Sequence, residues 1–85
     1  MDIKQAKKIK RSHDLGMINS VALQKKGSNR WFGVIHETDS KGKVLAALYK
    51  STDKYNTSQE AITDMNLVID TVCAMNLDDK ELFEQ

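Results

Sequence analysis

The side chains best suited to chemistry in this sequence are two histidines and one cysteine. His13 and His36 lie far apart and fit no H-x-x-x-H or C-x-x-C spacing, so no zinc ligand set is predicted. Cys73 falls on the apolar side of a predicted helix, where a cysteine packs as a small hydrophobic residue. No G-x-S-x-G motif marks a nucleophilic serine, and the four glycines are too scattered to form a phosphate-binding loop. We therefore predict that the protein is not an enzyme and holds no metal or cofactor.

Positive charge is concentrated in the first part of the chain. Residues 1–50 contain eleven Lys and Arg against four Asp and Glu, whereas residues 51–85 contain two against eight. A polarity of this kind points to a charged partner. The basic residues that could contact nucleic-acid phosphates are Lys4, Lys7, Lys8, Lys10, Arg11, Lys25, Lys26 and Arg30. They form one surface if the N-terminal segment and the turn around residue 27 lie on the same side of the fold.

Negative charge is concentrated in the second part. The carboxylates that could contact a partner are Glu60, Asp64, Asp70, Asp78 and Asp79. Displayed on and after a helix, such groups could occupy a partner protein's basic, nucleic-acid-binding surface. This arrangement is similar to that of some small phage and plasmid inhibitors, including certain anti-CRISPR proteins. Acidic residues near a helix N-terminus are also favoured by the helix dipole, which accounts for Glu60 and Asp64 without any partner.

Residues 57–75 carry the clearest structural pattern. Thr57 and Glu60 have the spacing of a capping box, in which each side chain accepts a hydrogen bond from a backbone N–H of the first turn. The apolar residues recur at the spacing of one helical stripe: Ala61, Ile62, Met65, Val68, Ile69, Val72 and Cys73. The pattern predicts one long helix over this segment.

The remaining segments predict an α+β fold. Residues 2–13 have a narrow apolar stripe at Ile3, Ala6 and Ile9, and Gly16 is a natural stop, so a short basic helix is expected. Residues 17–24, 30–38 and 43–50 have the composition and alternation of strands, and short turn clusters separate them. The prediction is a three-stranded antiparallel β-meander with one long C-terminal helix packed on it and a short basic N-terminal helix, in the order α-β-β-β-α.

The whole chain is expected to be a single small domain. Its parts are a basic helical arm (1–15), the sheet (17–50), the main helix (57–75) and an acidic tail (77–85), with a further short helix over 78–84. A single cysteine excludes an intramolecular disulfide, and no run of about 18 apolar residues or signal-peptide pattern is present. We expect a cytoplasmic protein that does not contact a membrane.

Both faces of the predicted sheet are apolar. The second strand places Trp31 and Ile35 on one face and Phe32 on the other, and in the third strand Leu48 and Tyr49 alternate in the same way. One helix covers one face, and an exposed apolar patch usually marks an interface. We therefore predict a homodimer or another protein partner, with cover by residues 1–15 and 77–85 as the alternative. The apolar interface candidates are Trp31, Phe32, Val34 and Tyr49.

The predicted order of elements also resembles that of known nucleic-acid-binding domains. The order α-β-β-β-α is similar to that of double-stranded-RNA-binding domains, and the β-β-β-α part is similar to the arm-site-binding domains of phage-type integrases. In the RNA-binding domains, lysines at the start of the last helix contact phosphates, whereas this chain has Thr57, Ser58, Gln59 and Glu60 there. We favour non-enzymatic protein binding, as an inhibitor or accessory subunit of a nucleoprotein complex. Nucleic-acid binding by the basic N-terminal half is the alternative.

Overall fold

The computed structural model of the chain describes residues 1–75, which form an α+β fold. The elements are α1 (Ile3–Asp14), β1 (Ile18–Gln24), β2 (Trp31–Thr38), β3 (Val44–Lys50) and α2 (Ser58–Cys73). In this part of the chain the strands form one antiparallel sheet with β2 at its centre. The predicted α-β-β-β-α order and meander are therefore confirmed. The predicted acidic tail and the short helix over 78–84 lie outside the described residues.

α2 begins at the predicted cap. The Thr57 hydroxyl accepts a hydrogen bond from the backbone N–H of Glu60 at 3.1 Å. The Glu60 carboxylate reaches back to the N–H of Asn56 at 3.1 Å, one residue before the N–H that a capping box uses. Four residues of the predicted stripe are buried, and they make up the side of α2 that packs on the sheet: Ala61, Met65, Ile69 and Val72.

α1 is fixed to the sheet by polar as well as apolar contacts. Asp2 caps its start by accepting from the N–H of Gln5 at 2.7 Å. The Gln5 side chain donates to the carbonyl of Leu48 in β3 at 2.7 Å, and the buried Ser12 hydroxyl donates to the Glu37 carboxylate in β2 at 2.6 Å. The helix then stops before Gly16, whose φ of 69° lies in the left-handed region that glycine tolerates best.

α1 and α2 pack side by side on the same face of the sheet. The shared core consists of Ala6, Ile9, Ile35, Leu48, Tyr55, Ala61, Met65, Ile69 and Val72. The approach of α2 is closest at Gly33, where a Cβ atom would lie 2.3 Å from Cγ of Met65. Within residues 1–75, neither helix covers the opposite face of the sheet.

β3 departs from the alternation expected from its sequence. Its pairing with β2 shifts register between Ile35 and His36, and again between Glu37 and Thr38. Leu48 is a core residue, and the adjacent Tyr49 packs against the same core. The expectation that these two neighbours alternate between faces is not met, because an irregularity in the pairing inserts an extra residue and turns the strand.

Candidate protein-binding surface

The sheet face opposite the helices, called the open face below, is apolar at its centre. Directly paired residues of antiparallel strands point to the same face, so the pairs Val21–Val34 and Leu23–Phe32 form one patch. Val44, which pairs with Thr38, is a further apolar residue of this face on β3, beyond His36. The open face thus comprises Val21, Leu23, Phe32, Val34, Val44 and Ala47, with the polar residues Asn19 and His36 between Val34 and Val44.

Exposure varies across the open face. Leu23 is 46% exposed and Val44 is 51% exposed, whereas Val34 at the centre is only 4% exposed. Lys50 pairs with Val34, and its ammonium nitrogen lies 4.9 Å from the centroid of the Phe32 ring. The aliphatic stem of Lys50 therefore crosses the patch while its charge remains in water. The patch is partly covered by this lysine, not by a helix.

The structure divides the predicted apolar interface candidates between the two faces. Phe32 and Val34 lie on the open face. Trp31 packs against the helix-side core, and its backbone N–H and carbonyl bond to Tyr55 at 2.8 and 3.2 Å. Tyr49 pairs with Ile35 and packs against the same core. Trp31 and Tyr49 are therefore structural residues of the covered side.

Sequence reasoning missed the residues of β1 and β3 that complete the patch. The sequence patterns predict strands that contain Val21, Leu23 and Val44, but they mark none of the three as an interface residue. The signal that could have found Leu23 is the length of the β1–β2 turn, because a short turn fixes the register of a hairpin and places Leu23 opposite Phe32. Val44 carried no such signal, since the irregular pairing of β3 sets its position.

The predicted acidic candidates have mainly structural contacts. Glu60 caps α2. Asp64 accepts a hydrogen bond from the Tyr55 hydroxyl and lies 3.9 Å from the Lys54 ammonium. Burial, together with this contact to Asp64, raises the pKa of Tyr55 to about 12. Asp70 is exposed on α2, and Asp78 and Asp79 lie outside the described residues.

Some of the predicted basic candidates also hold the fold together. Arg30 donates to the carbonyls of Asp53 and Lys54 and to the side chain of Asn56, at 3.1–3.3 Å. Lys25 lies 3.5 Å from the Asp53 carboxylate. These contacts tie the β1–β2 turn to the segment that leads into α2.

The remaining basic candidates lie on α1 and at the hairpin turn. Lys10 donates to the carbonyl of Met75, just after α2, at 3.2 Å. Lys7 is half-buried on α1, and Lys26 is exposed in the β1–β2 turn. The exposed side chains of Lys4, Lys8 and Arg11 line a groove between α1 and β3.

The basic candidates do not form one surface. The Ser12–Glu37 bond places the end of α1 near the last residues of β2, whereas the turn with Lys25 and Lys26 adjoins the first residue of β2, Trp31. Arg11, next to Ser12, therefore lies at the other end of the sheet from Lys25 and Lys26, and the structure does not gather all eight residues at one place.

The described residues offer no arrangement typical of a metal centre. Among residues 1–75, no three His, Cys, Asp or Glu side chains come together in a way that could hold a metal ion. Cys73 packs against the core, where burial, with a further contribution from Asp14, raises the pKa of its thiol. The raised pKa keeps the thiol protonated at neutral pH, in agreement with a packing role.

Comparisons with known proteins give no relative. No protein-family model, curated protein sequence or solved structure matches this chain. In the described part of the chain, neither helix combines the length and the apolar character needed to cross a membrane.

Proposed function

We propose that this chain is a non-enzymatic protein-binding module that docks onto another protein through its open face. The observation that supports the proposal is the position of α1 and α2 on one side of the sheet, which leaves Leu23 and Val44 about half exposed on the other. Exposed apolar patches on small proteins usually mark interaction sites. The polar residues Asn19 and His36 border the patch formed by the pairs Val21–Val34 and Leu23–Phe32, and they resemble the polar rim of such an interface.

The size of the open face favours a partner other than a second copy of the chain. Neighbouring strands lie about 4.8 Å apart and rise about 3.3 Å per residue, so a sheet of this size offers a footprint of about 300 Å². A standard interface buries about 800 Å² on each partner. Two open faces pressed together would therefore form a small interface, whereas a larger partner could also contact the rim and the neighbouring loops.

Two exposed leucines provide a matched test. Leu23 lies on the open face and is 46% exposed, and Leu67 lies on α2, beside the groove between α1 and α2, and is 55% exposed. Leu23→Lys and Leu67→Lys make the same chemical change at similar exposure, so each should alter the free energy of unfolding by less than about 0.5 kcal/mol. Capture of partners from a lysate of the native host should be lost with Leu23→Lys and retained with Leu67→Lys.

Light scattering after size exclusion separates the two classes of partner. The proposal predicts a monomer at micromolar concentrations. If the wild type forms a concentration-dependent dimer that Leu23→Lys abolishes, the partner of the open face is a second copy of the chain. That result would support the homodimer predicted from the sequence. Equal capture by the wild type and both variants would show that the open face binds no partner.

A further inference from the structure

β3 is an edge strand that borders a groove. One side of β3 pairs with β2, and its other side faces α1 across a groove of about 720 Å³. The floor of the groove includes Ala46, Ala47 and Leu48, and its wall on α1 carries Lys4, Lys8 and Arg11. Both backbone groups and side-chain charges are therefore available within one concave surface.

The backbone of β3 is accessible from the groove. Residues 44–47 are all exposed. The Gln5 side chain already donates to the carbonyl of Leu48 at 2.7 Å, which shows that a donor on this side can reach the strand. Within residues 1–75, no side chain or further strand bonds to residues 44–47 from the groove side. An unpaired edge of this kind is a template for an additional strand.

The positive charges beside this edge are unpaired. Lys4, Lys8 and Arg11 follow the i, i+4, i+7 spacing, so they project from one side of α1. In the part of the chain that the structure describes, the side chains of these three residues make no ion pair or hydrogen bond. The carboxylates that also line the groove are engaged, since Asp2 caps α1 and Glu37 accepts from Ser12. The groove therefore offers cations to a bound ligand.

We propose that the groove binds an extended, acidic peptide segment of a partner protein, which adds a fourth strand to the sheet at β3. The main chain of the segment pairs with residues 44–47, and its carboxylates meet Lys4, Lys8 and Arg11. Alternate residues of a strand lie about 7 Å apart, and Lys4 and Lys8 are separated by about 6 Å along the helix axis. This match favours acidic residues at every second position. The mode is strand addition, and it uses the edge of β3, which adjoins the open face at Ala47.

The same groove suits a nucleic acid less well. A phosphate backbone gains affinity in proportion to the number of cations that it contacts, and this groove supplies three. The free backbone groups of β3 and the apolar side chain of Ala46 offer nothing specific to phosphates. Both features favour a peptide, because a peptide main chain pairs with a strand edge.

A designed peptide set tests the proposal on the full-length chain. The probe is acetyl-Glu-Val-Glu-Val-Glu-Val-Glu-amide, titrated into ¹⁵N-labelled protein and followed by NMR. Two further peptides carry N-methyl groups, one on every valine and the other on every glutamate. Adjacent residues of a strand present their N–H groups to opposite edges. One methylated peptide should therefore bind like the parent and the other should not bind.

The expected result is saturable shifts at the amides of residues 44–47 and on the facing side of α1. If both methylated peptides bind as the parent does, the attraction is electrostatic only and strand addition is wrong. Absence of any saturable shift at millimolar peptide also overturns the proposal.

Two double variants with equal loss of charge test the role of the cations. Lys8→Ala with Arg11→Ala removes two charges from the groove, and Lys26→Ala with Lys41→Ala removes two exposed charges from the hairpin turns. The first pair should weaken peptide binding about tenfold or more, whereas the second should change it by about twofold or less. Equal weakening by both pairs would contradict the proposal. A short DNA duplex that displaces the peptide and binds more tightly would reassign the groove to phosphate binding.

Discussion

The covered face and the open face are built from alternate residues of the same strands, yet their residues are buried in different ways. Ile35 is fully buried on the covered face, in one core with residues of α1 and α2. Val34, the next residue towards the N-terminus, is 4% exposed on the open face, where its cover comes from strand neighbours and from Lys50. Two residues with nearly equal exposure therefore differ in how many elements hold them in place.

The largest expected effect is the contrast between Ile35→Ala and Val34→Ala. Ile35→Ala leaves a cavity between the sheet and the helices, so it should lower the free energy of unfolding by about 3–4 kcal/mol. Val34→Ala removes less volume from a site that Lys50 and the neighbouring strands can close, so about 1 kcal/mol is expected. Urea denaturation of both variants measures the difference. Equal losses would mean that the open face is packed as firmly as the covered one.

A smaller effect is expected at Tyr55, which connects the covered side to α2. Tyr55→Phe removes the hydrogen bond to Asp64 and should cost about 1–2 kcal/mol at neutral pH. Tyr55 has a pKa of about 12 in the folded chain against an ordinary value of 10.0, so the folded state holds this proton more tightly. The resulting stabilisation is complete below pH 10 and is lost as the pH rises towards 12.

Comparison of the wild type with Tyr55→Phe at each pH isolates the pH dependence that is due to Tyr55. Every other titratable group is the same in the wild type and in Tyr55→Phe, so the contributions of those groups cancel when the two proteins are compared. The difference in unfolding free energy between the two proteins should therefore shrink as the pH rises from 10 towards 12, as measured by denaturation at each pH. A constant difference would show that the Tyr55 proton is not held by the fold.

The elements of this fold could be predicted because their signals are local. The capping residues Asp2 and Thr57 mark the starts of the helices, and strand alternation correctly separates Phe32 from Trp31. The irregular register of β3 could not be predicted, because it depends on how Leu48 and Tyr49 meet the core once α1 is in place.

The candidate sites were less predictable than the fold, since charge in a sequence does not reveal its contacts. Arg30, Lys10 and Asp64 look like free surface charges, but each bonds to a group distant in sequence or to a neighbouring loop. The side of the sheet on which α1 packs is likewise set by long-range bonds from Gln5 and Ser12. These bonds leave no periodic pattern in the sequence.

The smallest expected effect concerns the cover that Lys50 gives to the open face. Lys50→Ala removes the contact between its ammonium group and the Phe32 ring, which should cost about 0.5 kcal/mol. The same change uncovers apolar surface at Phe32 and Val34, so the fluorescence of an apolar dye such as ANS should rise. Lys41→Ala, in the exposed β2–β3 turn, is the control that should leave both quantities unchanged.

The dye measurement tests whether Lys50 shields the apolar patch of the open face from solvent. A rise with Lys50→Ala alone would show that Lys50 shields the patch in the free protein, and that a partner must displace its stem before it reaches Val34. Lys50→Ala should then also strengthen partner capture, because the cost of that displacement is removed. Unchanged dye fluorescence would mean that the strands alone account for the burial of Val34. The difference in packing between the covered face and the open face would then be smaller than their contacts suggest.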